Sequence, residues 1–215
     1  MSDQCFNPPS GSTAYPSDCE ILENYRTRVR ERDSQSNDPL RKRALAKAKD
    51  IKILLLDVDG VLTDGNLLYS GSGEESKAFN TQDGFGLRLL REAGVEVGVI
   101  TARKSEVVAR RANELKMQYI YQGVRNKNDA FKEIMKVSGL KPYQIAYMGD
   151  DWLDLTLLQQ VGLAIVPANG VREVKDIAHF ITERSGGAGA VRDACDLIIE
   201  SKNLLMELLQ KYKNR

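Results

Sequence analysis

Two aspartates two residues apart, Asp57 and Asp59, stand at the end of the apolar run Ile53–Leu56 in the segment Ile51–Gly65, IKILLLDVDGVLTDG. An apolar run without alternation reads as a strand buried on both faces, as in a parallel sheet. The pair then lies just past the strand's carboxyl end, where open α/β sheets bind ligands. A bare Asp-x-Asp-Gly is more often a solvated turn. Further groups fall at equivalent places downstream: Thr101 in VITAR, Lys127 in RNKND, and Asp150 and Asp151 with Asp154 in GDDWLD. Each follows a strand-like stretch or opens a helix-like one, and in a parallel sheet such positions converge on one edge.

Carboxylates, a hydroxyl and an ammonium at one edge suit phosphoryl transfer assisted by Mg²⁺. Magnesium takes an octahedral oxygen site, often with one or two carboxylates and several waters, and Asp57 and Asp150 from neighbouring strands could supply them. A metal and a lysine neutralise the equatorial oxygens of a transferring phosphoryl. A carboxylate nucleophile splits hydrolysis into two displacements. A second carboxylate two residues on could protonate the leaving oxygen and then deprotonate water.

The elements that must position these groups alternate between strand and helix. After the first strand, Asn66–Ser70 and Ser76–Asn80 flank a Gly-containing loop and predict a β-hairpin over about residues 65–80. A helix is expected over Asp83–Glu92, with Phe85, Leu87, Leu89 and Leu90 turned inward and Gly94 ending it. Strand-like Val95–Ile100 and Gln118–Tyr121 flank a helix over Ser105–Leu115. Lys127–Val137 is helical and is closed by Gly139. Ile145–Met148, Leu163–Val166 and His179–Ile181 are further strands. Leu153–Val161 is helical, and Ala190–Tyr212 is one long or broken helix. The alternation predicts an α/β fold: a parallel sheet in a Rossmann-like three-layer sandwich.

The chain has 215 residues, room for one domain plus an extension. Residues 1–39, rich in Pro, Ser and Gly at their start, are expected to be disordered or partly helical (Cys19–Arg32), leaving 40–215 as the catalytic domain. The basic run Arg41–Lys49 reads as a solvated helix face. A net charge of +1 gives no electrostatic case for nucleic acid or an anionic membrane as partner. No apolar run reaches the ~18 residues of a membrane span, and no basic segment with an apolar core marks a secretory leader. Cys5, Cys19 and Cys195, in no metal spacing, suggest reduced thiols and a cytoplasmic location. Cys195 reads as core, and His179, the sole histidine, as structural.

The ordered set DVDGVLTDG, VITAR, Lys127 and MGDDWLD resembles the haloacid dehalogenase superfamily of phosphatases. KAFNTQDGFGLRLL, TARKS, YQGVRNK and SGGAGAVRDACDLI extend the likeness to its sugar-acid phosphate phosphatases, over roughly four fifths of the chain. The resemblance implies Asp57 as the nucleophile that becomes aspartyl-phosphate. It implies Asp59 as general acid/base, with its backbone carbonyl a metal ligand, and Asp150 as the second carboxylate on Mg²⁺. Thr101 and Lys127 would hold the phosphoryl, and Asp151 and Asp154 would orient Lys127 and metal-bound water. Substrate contacts would come from Asp59, Asn80, Thr81, Gln82, Asp83, Gly84, Arg88, Arg103, Arg111 and Lys127, the arginines facing a sugar-acid carboxylate. The implied substrate is an eight-carbon sugar-acid phosphate in lipopolysaccharide precursor synthesis. The alternatives are a nine-carbon sialic-type acid 9-phosphate and a non-catalytic regulatory module of a cytidylyltransferase.

Taken singly, these residues have plainer readings. Asp154 could cap a helix, and Arg88, Arg103 and Arg111 could be solvated helix residues. Ala102 stands where many members have Gly, and Ala188 where some carry a basic residue. Larger members insert a cap domain, whereas this chain has room only for the hairpin. Enclosing the site then falls to a large substrate or to another subunit. The resemblance implies a homotetramer, with the GGAGAVR segment and C-terminal helix reaching a neighbour's site.

Overall fold

In the computed structural model, Thr27 and residues 38–213 are described. The expected N-terminal disorder and the Cys19–Arg32 helix lie outside these residues, apart from Thr27, which is helical. The chain divides into two compact units, 1–42 and 43–215. At residue 38 the Asp38 carboxylate accepts the Leu40 N–H at 2.9 Å, an Asx start to helix α1 (Pro39–Ala48).

The larger unit is built on six parallel strands. In chain order these are β1 (Ile53–Leu56), β4 (Glu96–Ile100), β5 (Tyr119–Tyr121), β6 (Ile145–Met148), β7 (Leu163–Val166) and β8 (Phe180–Ile181). Across the sheet the order is β5-β4-β1-β6-β7-β8, and every pairing is parallel. The Ile-Leu-Leu-Leu run of β1 is buried at every position because β1 lies between β4 and β6 with helices on both faces.

Alternate residues feed two cores, as the period of two along a strand requires. Leu54, Leu56, Val97, Val99, Ala146 and Met148 pack on one face against helices α2 (Thr81–Glu92), α3 (Glu106–Glu114) and α7 (Ala190–Ser201). Ile53, Leu55, Ile100, Ile145 and Tyr147 pack on the other, against α4 (Lys127–Ser138) and the short helices α5 (Leu155–Leu158) and α6 (Arg172–Lys175). The result is the expected three-layer α/β sandwich. The last element among the described residues is α8 (Leu205–Lys213), separated from α7 by a break at Asn203, whose φ is 59°.

The hairpin forms, with shorter strands than expected. β2 (Leu68–Tyr69) pairs antiparallel with β3 (Glu75–Ser76), matching Leu68 to Ser76 and Tyr69 to Glu75. Residues 77–80 are not strand. The Asn80 side chain accepts the N–H groups of Gln82 and Asp83, and this N-cap starts α2 at Thr81, two residues before the predicted start. Phe85 is not turned inward. It is 38% exposed and packs edge-on against Tyr212, while Gly84 and Gly86 occupy the buried face. A Cβ on Gly86 would stand 3.3 Å from the Arg192 Cα, so α2 and α7 approach too closely for a larger residue there. The expected Leu153–Val161 helix is instead a 3-10 turn at Trp152–Asp154 followed by one turn of α-helix.

Candidate active site

β1 delivers Asp57 to the carboxyl edge, where its N–H donates to the Met148 carbonyl of β6 at 2.9 Å. The chain then folds back on itself. The Val58 carbonyl accepts the N–H groups of Val61, Leu62 and Thr63, and Gly60 takes φ +86°. A Cβ on Gly60 would meet the Asp150 carboxylate at 2.0 Å, so glycine lets the turn and the β6 loop close together.

Lys127 opens α4, behind the Asn126 N-cap, and its side chain is 5% exposed. The ammonium reaches Asp57 Oδ1 at 2.9 Å, Asp154 Oδ1 at 2.6 Å and the Tyr147 hydroxyl at 3.1 Å. Tyr147, wholly buried on β6, donates to Asp154 Oδ1 at 2.5 Å. Asp154 Oδ2 accepts the N–H groups of Asp150 and Asp151 at 3.0 and 3.2 Å. Asp154 therefore ties the loop together and also holds the lysine. The Asp151 carboxylate caps the Trp152 N–H at 2.7 Å, and Asp154 is the expected orienting aspartate that meets Lys127. Thr101 lies buried at the end of β4, next to β1, with its N–H on the Tyr121 carbonyl of β5.

The electrostatics favour a cation. Asp57, Asp150 and Asp154 each offer a carboxylate oxygen within 4.8 Å of the others. Burial, opposed by the Lys127 charge, raises the Asp57 carboxyl to about 6. Burial and repulsion from Asp57 and Asp154 raise Asp150 to about 7. Burial pulls the Lys127 ammonium down, but its two carboxylate partners outweigh that and leave it raised. Three carboxylates beside one ammonium leave two negative charges uncompensated when all are ionised. The four lone-pair positions of Asp154 are already taken by Lys127, Tyr147 and two backbone N–H groups. Asp57 and Asp150 are the pair left to hold a hard divalent ion, and these residues fit one.

Asp59 enters a separate network built by the hairpin. Its Oδ1 accepts from the Lys77 ammonium, and its Oδ2 lies 3.5 Å from Arg103 Nε. Arg103 also donates to the Tyr69 hydroxyl at 2.7 Å and to Glu75 at 3.1 Å. Lys77 was not anticipated, because a lysine between a hairpin and a helix has no distinguishing spacing. Tyr147 was hidden among the apolar residues of its strand. Asn169 was also missed. Its side chain donates to the Gly60 carbonyl at 3.0 Å and accepts the Gly186 N–H at 2.6 Å, tying the Asp57–Gly60 turn to the GGAGA segment.

The remaining predicted residues are engaged in other contacts. Asn80 caps α2 and reaches the Gly187 carbonyl at 3.4 Å. Thr81 is exposed in the first turn, and Gln82 accepts from Arg184 at 2.9 Å. Asp83 is buried and accepts the Arg192 N–H of α7 at 2.7 Å. Gly84 is buried beside the Arg111 guanidinium, which stacks over Phe79. Arg88 pairs with Glu92 one turn along the same helix. His179 accepts the Ala164 N–H at 2.9 Å, and Cys195 is fully buried, both structural as expected.

A profile of haloacid dehalogenase-like hydrolases matches residues 116–193. The chain is 39% identical over 169 residues to the 3-deoxy-D-manno-octulosonate 8-phosphate phosphatase KdsC of Escherichia coli K12, covering 79% of this chain and 90% of that protein. The crystal structure of the phosphatase of that name from Yersinia pestis superposes with a TM-score of 0.75 at 39% identity, covering 76% of this chain and 88% of that one. That from Moraxella catarrhalis, in complex with magnesium, phosphate and KDO, superposes with a TM-score of 0.77 at 38% identity, covering 79% and 97%. Among the described residues no helix is long and apolar enough to cross a membrane.

Proposed function

This chain belongs to the haloacid dehalogenase-like hydrolases and is a phosphatase, and we propose that it hydrolyses 3-deoxy-D-manno-octulosonate 8-phosphate with Mg²⁺ through a phosphoryl group carried on Asp57. The observation that carries the reading is the Asp57–Lys127–Asp154 ladder beside Asp150 at the sheet edge. The name and the bound magnesium, phosphate and KDO of the Moraxella relative supply the substrate class.

Mg²⁺ held by Asp57, Asp150 and the Asp59 backbone carbonyl would neutralise phosphoryl charge. In the first displacement an Asp57 oxygen bonds to phosphorus as the ester P–O bond breaks. The Asp59 carboxyl gives its proton to the departing sugar oxygen. In the second, water attacks the phosphoryl on Asp57, its proton passes to Asp59, and Asp57 and inorganic phosphate are released. Lys127 and Thr101 hold the phosphoryl oxygens during both transfers. Asp154 and Tyr147 keep the Lys127 ammonium on the Asp57 side of its reach. Residues Asn80 to Gly84, Arg88, Arg103 and Arg111, with Asp59 and Lys127, form the substrate contacts, the arginines serving the sugar-acid carboxylate. Residues 40–215 constitute the catalytic domain, acting in the cytoplasm in lipopolysaccharide precursor synthesis.

Homotetramer formation completes the site. The exposed hairpin residues Leu67, Leu68 and Tyr69 support that assembly as surface available to be covered. A monomeric mass by light scattering at working concentration would refute it. The substrate is tested by phosphate release with Mg²⁺ from the eight-carbon acid 8-phosphate, a nine-carbon acid 9-phosphate and 4-nitrophenyl phosphate. The eight-carbon ester gives the highest kcat/KM. If it is no better than the aryl ester, the assignment falls.

A further inference from the structure

We propose that Lys77 is a positioning residue for Asp59, fixing one carboxylate oxygen so that the other faces the departing sugar oxygen and then the attacking water. The proposal rests on the phosphoryl-transfer reading above, in which Asp59 moves the proton.

Lys77 is an unusual lysine. Its side chain is 1% exposed, although it follows a two-residue strand on a hairpin whose neighbouring residues are open to solvent. Lysine rarely gives up its hydration unless it is paired. Its partners are Asp59 Oδ1 and, at 3.4 Å, Glu75 Oε1. An exposed pair of this kind would contribute little and hold neither side chain in place. A buried one fixes its acceptor, because moving either group strands a charge away from water.

The two oxygens of Asp59 are held unequally. Oδ1 meets the buried ammonium, whereas Oδ2 faces Arg103, whose side chain is 42% exposed and whose Nε stands 3.5 Å away. Arg103 has alternative partners on the hairpin in Tyr69 and Glu75, so it can turn toward a ligand without being left unpaired. Oδ2 is thus the oxygen open to a substrate atom, and Lys77 determines where it points. The proton on Oδ2 goes to the ester oxygen as that oxygen leaves phosphorus and Asp57 bonds to it. The proton returns from water as water displaces Asp57. A carboxyl free to rotate would meet neither oxygen reliably.

The test separates the proton-dependent chemistry from the rest. Lys77→Met and Lys77→Arg are compared with the parent enzyme on the sugar-acid phosphate, whose alkoxide leaves poorly without a proton, and on 4-nitrophenyl phosphate, whose phenolate leaves without one. Melting temperatures check the fold. For Lys77→Met, kcat on the sugar ester falls about 100-fold, a loss on the scale of general acid–base catalysis, with KM changed less than about 3-fold. The pre-steady-state burst of nitrophenolate keeps its rate within about 3-fold, because that step needs no general acid. Lys77→Arg recovers at least about a tenth of the parent kcat, since a guanidinium still supplies the charged donor. A nitrophenolate burst slowed as much as sugar-ester turnover, or an unchanged kcat on the sugar ester, overturns the proposal. Asp57→Asn is run alongside. If it keeps full turnover, the phosphoryl-transfer reading itself fails. If it is inactive while Lys77→Met slows the nitrophenolate burst as much as sugar-ester turnover, only the role of Lys77 falls.

Discussion

Lys127 and Lys77 are both buried lysines, and each is paired with an aspartate of the same turn, yet the structure holds them by different means. Lys127 begins a twelve-residue helix anchored in the core by Ala130, Phe131 and Ile134, and it meets two carboxylates and a buried tyrosine. Lys77 leaves a ribbon of two residue pairs whose outer residues, Leu68 and Tyr69, are 58% exposed. The sheet edge therefore supplies a fixed frame for the proposed phosphoryl site, and the hairpin adds one fixed contact, the buried Lys77, behind an exposed and adjustable outer face. Chemistry that must not move is placed where moving it would disrupt a core. Contacts that must adapt to one substrate are placed on a small element with no core of its own.

Four substitutions or conditions test that contrast, in decreasing order of effect. Asp57→Asn removes the proposed nucleophile and should lower kcat by roughly 10⁴–10⁶-fold in steady-state assays, the scale seen when a nucleophile is deleted. Lys127→Met lowers kcat by about 10²–10³-fold, as expected for a lost donor to developing charge. Because it leaves buried carboxylates uncompensated, it also costs about 3–5 kcal/mol of stability in denaturant titration at pH 7 without metal. A frame that tolerated this change would not be the rigid half of the comparison.

The third test is pH. Asp57 and Asp150 are raised from the ordinary 3.8 to about 6 and about 7. A carboxyl raised on folding contributes stability that is complete below its ordinary value and lost as pH climbs through the folded value. The metal-free protein should therefore melt lower as pH rises from 4 to 7.5, by roughly 5 °C or more in calorimetry. Saturating Mg²⁺ should restore most of that at pH 7.5 and add little at pH 5. Glu92, lowered to about 2 first by its bond from Lys211, acts with the opposite sign and only at lower pH. Last, Tyr69→Phe removes one hydrogen bond to Arg103. It should change KM for the sugar ester about 2- to 5-fold with kcat and melting temperature nearly unchanged, since a single exposed bond contributes about 1 kcal/mol. A large loss of kcat would mean that the exposed face of the hairpin belongs to the frame along with Lys77.

The same contrast explains what the sequence conveyed. The sheet was legible because strands buried on both faces must be apolar throughout, as in ILLL and LAIV. The residues that follow such strands are then conspicuous, which is how Asp57, Thr101 and Asp150 stood out. Lys127 stood out as an ammonium opening a predicted helix at the same edge, although alone it would read as a surface residue. The hairpin network was illegible because Lys77, Glu75 and Tyr69 are ordinary surface residue types, and only folding brings them to Asp59. Phe85 was misassigned because a hydrophobic pattern ranks phenylalanine above glycine, whereas the close approach of α2 and α7 reverses that order. The α5 region was misjudged because the two ends of the GDDWLD loop are tied by Asp154, which tightens the backbone into a 3-10 turn.

The central place of β1 has a consequence for the nascent chain. Asp57 is made early, but its strand is flanked by β4 and β6, and the turn after it is clasped by Asn169 and the segment at Gly186. β4 follows within the first half of the chain, but β6, Asn169 and Gly186 cannot be recruited until most of the polypeptide has left the ribosome. Release of phosphate should therefore begin abruptly with completed chains, and fragments ending before residue 186 should release none.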